Sequence, residues 1–408
     1  MPSIIHISNT PSIFAAHKTK MNTQRSFSLA YLCLALTLLC ACGSSNDKKE
    51  QPQQTTAAED LGGNWYRHYE GTIAGQPVSA DIYHANDRLT GTYSYDKQGI
   101  ILDIYEEKDS SKANTYFLNE DAPTEHENEN APENHAHWVI SVSKEGISGK
   151  WISSDGKKQH DISLREGYDN SSYRFDILLL KDSEVALVSN YKIRASATYA
   201  ISIPVPGIAG ADRQLINSAT FTHMGCRETD IDSCIRKKNE AYFSAYKEEI
   251  PTSLSEDESD RYNYELFNFF DVVYNKNGLL IMKQSHYSYT GGAHGIYGDT
   301  YACIDMTGKK VWQLNDVLQA DRTAISALLE TEVRKQFSIQ ATEALSDRLL
   351  TDTIKPTNNF YCTSTGIVFH YNPYEIASYA DGEVDLYIPF SKLGSMLLPA
   401  FRQRMAIP

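Results

Sequence analysis

The chain has no apolar run long enough to cross a bilayer. Its most apolar stretch, Phe27 to Leu39, holds 13 residues, whereas a helical span needs about 20. There is no Gly-x-Ser-x-Gly elbow and no His-Glu-x-x-His pair, the spacings that expose a serine nucleophile or set two zinc ligands on one helix face. Basic residues are in deficit: 38 Lys and Arg stand against 52 Asp and Glu, a formal charge of −14. Counterion release on nucleic acid needs clustered Lys and Arg. The balance therefore argues against a nucleic-acid partner and suits a basic protein reached by electrostatic steering. Cysteine is scarce, seven in 408 residues.

What is present begins with an address. Arg25 precedes the apolar run, which has the length of a signal-peptide core. The run ends Leu39-Cys40-Ala41-Cys42-Gly43, with Leu at −3, Ala at −1 and cysteine at +1 of a lipobox. The expectation is a lipoprotein acylated at Cys42, held by its lipid in the bacterial cell envelope at the outer membrane; the rival is an ordinary secretory signal cut elsewhere. Residues 1–20 lack signal character, and Met21 is a candidate start. Residues 1–42 carry Lys18, Lys20, Arg25 and no acid, so their removal leaves a still more acidic chain. Residues 43–60, polar and charged, read as a flexible tether.

Four cysteines remain beyond the signal: Cys226, Cys234, Cys303 and Cys362. Export makes disulfides the default. Cys226 and Cys234 are near in sequence, while Cys303 and Cys362 both sit in strand-like runs, so the favoured pairs are Cys226–Cys234 and Cys303–Cys362. A zinc site is the rival, although Cys-x7-Cys is the wrong spacing for a knuckle.

Three folded units are expected, of α+β class together. Residues 61–166 read as an all-β meander, a small barrel or sandwich. Leu89-Thr90-Gly91-Thr92-Tyr93 and Ile147-Ser148-Gly149-Lys150-Trp151 repeat one pattern, in which a strand glycine lets the sheet bend and the aromatic packs inside. Asn119 to His137 interrupts it with acids and His126, His135 and His137; this is a solvated loop by composition, with metal binding the lesser reading. Residues 167–278 read as an α+β subdomain: edge strands at Ile177–Leu180 and Val185–Ser189, a strand from Tyr191 to Pro204, a helix from Thr229 to Glu249 and a strand from Tyr264 to Tyr274. Residues 279–408 form a second one. There Ile325, Leu328, Leu329, Val333 and Phe337 mark one helix face, capped by Asn315 or Asp316, and a terminal helix, Lys392 to Leu398, ends near Pro399.

The densest stretch runs from Leu279 into Tyr287-Ser288-Tyr289-Thr290-Gly291-Gly292-Ala293-His294-Gly295. Its glycines can take positive φ or admit a close backbone. Tyr287 and Tyr289 share parity with Leu279 and Ile281, which points them to the core. A second dense segment is Asn372-Pro373-Tyr374-Glu375-Ile376. Glu375 can lock that turn by accepting backbone N–H groups or meet a basic side chain of a partner, and Tyr374 and Tyr379 suit an interface.

Tyr289 to Gly295 with Thr307-Gly308-Lys309, and Phe360 to Tyr371 followed by Asn372 to Ala377 and Tyr379-Ala380-Asp381-Gly382, resemble the RsiV-like extracellular domain family over roughly residues 185–400. The resemblance implies a two-part α+β module that binds protein or glycan, a lysozyme-like hydrolase or a peptidoglycan-related ligand, without a cofactor. The same paired module precedes the catalytic domain of the deacetylase PdaC, but the chain has no Asp-Asp pair with a following His-x3-His. Candidate binding residues are Tyr289, Thr290, Gly291, Gly292, His294, Asn372, Tyr374, Glu375 and Tyr379. The alternative is a metal-independent hydrolase in which His294 acts as base with Glu375 or Asp299.

Overall fold

Glycines set into short alternating strands close the first unit into a barrel. The computed structural model describes residues 62–408 except 86–87, 107–114, 122–134, 170, 229 and 320–321. Cys42, the tether and His126 lie outside the described residues. Strands β1 (Trp65–Ile73), β2 (Gln76–Ala85), β3 (Arg88–Tyr95), β4 (Ile101–Glu106), β5 (Tyr116–Asp121), β6 (His137–Val142), β7 (Ile147–Ile152) and β8 (Gln159–Glu166) pair in sequence order. β8 returns antiparallel to β1, which leaves no free edge. A Cβ on Gly91 would overlap the Asp81 carbonyl, and one on Gly149 that of Val139. The repeated glycine therefore serves close strand approach. Tyr93 is buried in the barrel core, and Trp151 packs partly buried against it.

The next six strands form one sheet: β9 (Phe175–Val188), β10 (Tyr191–Pro204), β11 (Tyr264–Lys276), β12 (Leu279–Tyr289), β13 (Ile296–Asp305) and β14 (Lys310–Val311), in the order β14-β13-β12-β11-β10-β9. The two short segments expected at Ile177 and Val185 are one continuous edge strand, β9. β10 and β11 run parallel, so a crossover must join them. It is built from α1 (Gly210–Met224) and α2 (Ile231–Glu249). α2 matches the expected helix, and Asp230 caps it by accepting the Ser233 N–H at 2.8 Å. α1 was not foreseen: its buried positions are Ile216, Ala219, Thr220 and Met224, a stripe too poor in large apolar residues to stand out.

The boundary expected between residues 278 and 279 falls inside this sheet. Asn277 and Gly278 take φ of 56° and 68°, a two-residue turn that joins β11 to β12 rather than separating two subdomains. A second sheet, β15 (Phe360–Cys362), β16 (Gly366–Tyr371) and β17 (Val384–Pro389), carries α3 (Thr323–Gln336). α3 buries the expected Ile325, Leu329 and Val333. Asn315 and Asp316 sit instead in a separate single turn, Leu314–Val317. Pro399 opens the last helix, α4 (Pro399–Arg404), rather than ending one, because its fixed φ suits the first helical position. Among the described residues no helix is long and apolar enough to cross a membrane.

Cys226 and Cys234 are bonded. The Cys303–Cys362 pairing is corrected: both are buried free thiols, with the Cys362 N–H aimed at Cys303 Sγ at 3.2 Å. They belong to β13 and β15, in two different sheets packed over one apolar core, and serve there as small hydrophobes.

The barrel docks on an irregularity in β11. A bulge between Val272 and Tyr274 breaks the ladder to β12, which frees backbone groups that need partners. Two barrel side chains supply them: Tyr83 Oη donates to Val272 O at 3.2 Å and Thr92 Oγ1 donates to Val273 O at 3.0 Å. Asn275 Nδ2 donates to Tyr66 Oη at 2.9 Å. The barrel also touches the second sheet, where Thr365 Oγ1 donates to Gln98 O at 2.7 Å.

Candidate functional site: an aromatic ledge over an acidic seam

Gly291 and Gly292, in the turn from β12 to β13, take φ of 89° and 97°, the region glycine enters without steric cost. A Cβ on Gly295 would overlap the Tyr287 ring. Tyr287 is buried as its parity requires, Tyr289 is half-buried and Thr290 is exposed. Tyr289 Oη donates to Gly292 O at 3.2 Å and ties the turn to itself.

The turn after β16 locks in the manner expected of Glu375. Its Oε2 accepts the Asn372 N–H at 3.1 Å, and its own N–H donates to Asn372 O at 3.0 Å. This leaves Tyr374 at φ 72° with 54% of its surface exposed.

The two dense segments belong to different sheets, yet they meet. Tyr379 Oη donates to Gly295 O at 2.8 Å, and the Tyr379 ring stacks on His294 with centroids 3.9 Å apart. The Tyr374 ring lies 5.7 Å from that of Tyr379. Tyr297 sets its ring edge-on to Tyr379 with centroids 5.5 Å apart. The result is an apolar, aromatic ledge. His294 Nδ1 stands 2.8 Å from Gly295 O, an acceptor only, so that nitrogen carries the proton. Among the described residues no carboxylate pairs with His294: Glu375 is held by Asn372, and Asp299 faces Lys283.

Asn372 joins the ledge to a seam of charge behind it. Its Oδ1 accepts the Asp299 N–H at 2.7 Å and lies 3.3 Å from His370 Nε2. Lys283, on β12, sets its Nζ 3.6 Å from Asp299 Oδ2 on β13 and 3.5 Å from Asp103 Oδ1 on barrel strand β4. On the second sheet His370 Nδ1 lies 2.7 Å from Asp385 Oδ1, and its Nε2 lies 3.7 Å from Glu383 Oε1. Two oxygens find no hydrogen-bond partner: Asp299 Oδ1 and Glu383 Oε1.

Crowding and mutual repulsion set the protonation here. Burial, reinforced by Asp299 and Asp103 against the pull of Lys283, raises Asp271 to about 7. Burial and then Asp299 raise Glu383 to about 8. Desolvation, with Asp121 and Asp299 against the pull of Lys283, raises Asp103 as well; its side chain is 56% exposed, which marks it as the opening of the seam. Burial disfavours the His370 cation, but Asp385 outweighs it and holds the ring up at about 9. Lys283 is pushed upward, since Asp103 and Asp299 outweigh the penalty of burial.

Sequence reasoning singled out Asp299 in this seam and missed the rest. The signal was there: Asp271 follows Phe269-Phe270 and precedes Val272-Val273, Lys283 follows Leu280-Ile281-Met282, and His370 lies between Phe369 and Tyr371. A charge within an apolar strand is rarely buried without a partner, but no spacing names a partner on another sheet.

Residues 194–297 match the family model described as Deacetylase PdaC, and residues 315–391 match that described as Protein of unknown function (DUF3298). The first stretch runs from β10 through the glycine turn, and the second from before α3 past β17; the barrel lies outside both. A crystal structure of a DUF3298 family member from Bacteroides fragilis is 25% identical with a TM-score of 0.50, and the match covers 58% of this chain and 100% of that one. One of a DUF3298 family protein from Pseudomonas aeruginosa is 18% identical with a TM-score of 0.39, over 56% of this chain and 96% of that one. No curated protein matches the chain. The part after the barrel is thus similar to RsiV-like and PdaC-like extracellular modules.

Proposed function

We propose that this chain is a lipid-anchored binding protein of the cell envelope, which captures a lysozyme-like hydrolase or a peptidoglycan-related ligand on the ledge of His294, Tyr374 and Tyr379. The observation that carries the reading is the exposure of Tyr374 beside the His294–Tyr379 stack. Rigid aromatic side chains held clear of the core are what an interface centre needs. The acidic balance supports a basic partner by steering its approach, and the family matches to envelope-associated modules support the location. The hydrolase alternative draws less support, since among the described residues the base His294 has no carboxylate to orient it.

A pull-down on immobilised lysozyme at low salt tests the reading. Retention of the parent chain with loss for Tyr374→Ala is the expected result. No retention of the parent chain removes lysozyme as the ligand, and retention of both chains alike removes the ledge.

A further inference from the structure

The acidic seam holds more carboxyl groups than cations. Asp103, Asp271, Asp299, Glu383 and Asp385 gather around Lys283 and His370. Buried carboxylates are expected to be paired or hydrogen-bonded. Asp385 is, through His370 and Tyr361 Oη. Asp299 is met on one side only: its side chain is 8% exposed and Lys283 pairs with Oδ2 at 3.6 Å, but Oδ1 has no hydrogen-bond partner. Glu383 Oε1 is likewise without one.

The spacing speaks to the kind of cation. Among the described residues, the one group of three or more His, Cys, Asp or Glu close enough to share a metal ion is Cys226, Glu228 and Cys234, and two of those are disulfide-bonded. The seam's oxygens are therefore spread too widely for direct coordination of a bare ion. An organic cation bridges wider gaps through its N–H groups, as the Lys283 ammonium does between Asp103 and Asp299.

We propose that the seam receives a lysine or arginine side chain of a basic protein partner, docked so that its cation reaches Asp299 and Glu383 past the exposed Asp103. This rests on reading the chain as a binding module, and adds a charged pocket, shared by the barrel and both sheets, to the ledge. Asn372 is common to the two: it turns the chain toward Tyr374 and holds the Asp299 backbone.

The test titrates a hexa-arginine peptide into the full chain at pH 8 and follows binding calorimetrically. The Asp103→Asn/Glu383→Gln variant is expected to bind at least tenfold more weakly. A control variant, Glu256→Gln/Asp257→Asn, removes two exposed acids elsewhere and is expected to bind like the parent. Parent affinity is expected to rise between pH 6 and pH 9 as Asp271 and Glu383 ionise. Equal losses in both variants, or no peptide binding by the parent, overturns the proposal. Tyr374→Ala separates this proposal from the ledge: peptide binding that survives while lysozyme retention is lost places the cation in the seam and the protein partner on the ledge, and peptide binding lost with Tyr374 overturns the seam.

Discussion

The side-chain oxygen of Asn372 accepts the backbone N–H of Asp299 at 2.7 Å. The bond crosses between sheets, from the turn after β16 to the middle of β13. It is one of a set. Asn372 Nδ2 donates to Asp299 O at 3.2 Å, Asn359 Nδ2 donates to the same oxygen at 2.7 Å, and Asn359 Oδ1 accepts the Tyr301 N–H at 3.0 Å. β14 pairs with β13 only at Ile304 and Asp305, so two asparagine side chains satisfy the edge that β14 leaves open.

Asn372→Ala strands the Asp299 N–H and weakens the hold between the sheets. A buried donor left without a partner costs about 1–3 kcal/mol. The free energy of unfolding measured in urea should fall by that amount, with lysozyme retention lost alongside. An unchanged midpoint means that water or Asn359 takes over the bond.

Tyr374→Gly should separate binding from stability. Tyr374 sits at φ 72°, where a non-glycine residue carries a strain of about 1 kcal/mol or more. Glycine relieves it, so urea unfolding should show stability held or slightly raised while binding on the ledge disappears. Loss of stability would mean that the ring contributes more to the fold than its 54% exposure suggests.

Stability should fall as pH rises from about 5 to about 9. Asp271 and Glu383 are raised to about 7 and about 8, so the folded chain holds protons that the unfolded chain has already released. Raised carboxyls destabilise progressively as pH climbs from the ordinary carboxylate range through the folded values. His370, raised to about 9 from an ordinary 6.5, adds stability that is complete below about 6.5 and gone above about 9, which is the same direction. Calorimetric melting across this window checks the sign, and Asp271→Asn should flatten its acid half. A melting temperature that climbs from pH 5 to pH 9 contradicts this account of the seam.

Reduction of Cys226–Cys234 opens a short loop, of sequence separation 8. Chain-entropy arguments put the loss at about 2–3 kcal/mol, measured as the shift in urea midpoint for Cys226→Ser/Cys234→Ser. Unfolding the parent chain without reductant should release two further thiols, Cys303 and Cys362, to a thiol reagent. Their absence would restore the second disulfide.

Much of the local structure could be read from residue order. β10 and β11 lie at the expected strands from Tyr191 and Tyr264, α2 at the expected helix ending at Glu249, and α3 where apolar spacing puts it. The glycine turn and the Glu375 lock follow from short-range rules: positive φ for Gly291 and Gly292, and a carboxylate three residues beyond the N–H it accepts. α1 carries little sequence signal because its buried face is made of Ile, Ala, Thr and Met, and Pro399 is ambiguous because a proline marks a helix start as well as a stop.

The sequence by itself determined the elements, the barrel's bend points and the two segments from which the ledge is made, because each depends on neighbours within a few residues. Tertiary structure alone decided that those segments touch, that Asp103 of the barrel faces Lys283 of the central sheet, and that Cys303 and Cys362 stay thiols. Those outcomes depend on how sheets pack, and packing brings together side chains that no spacing along the chain relates.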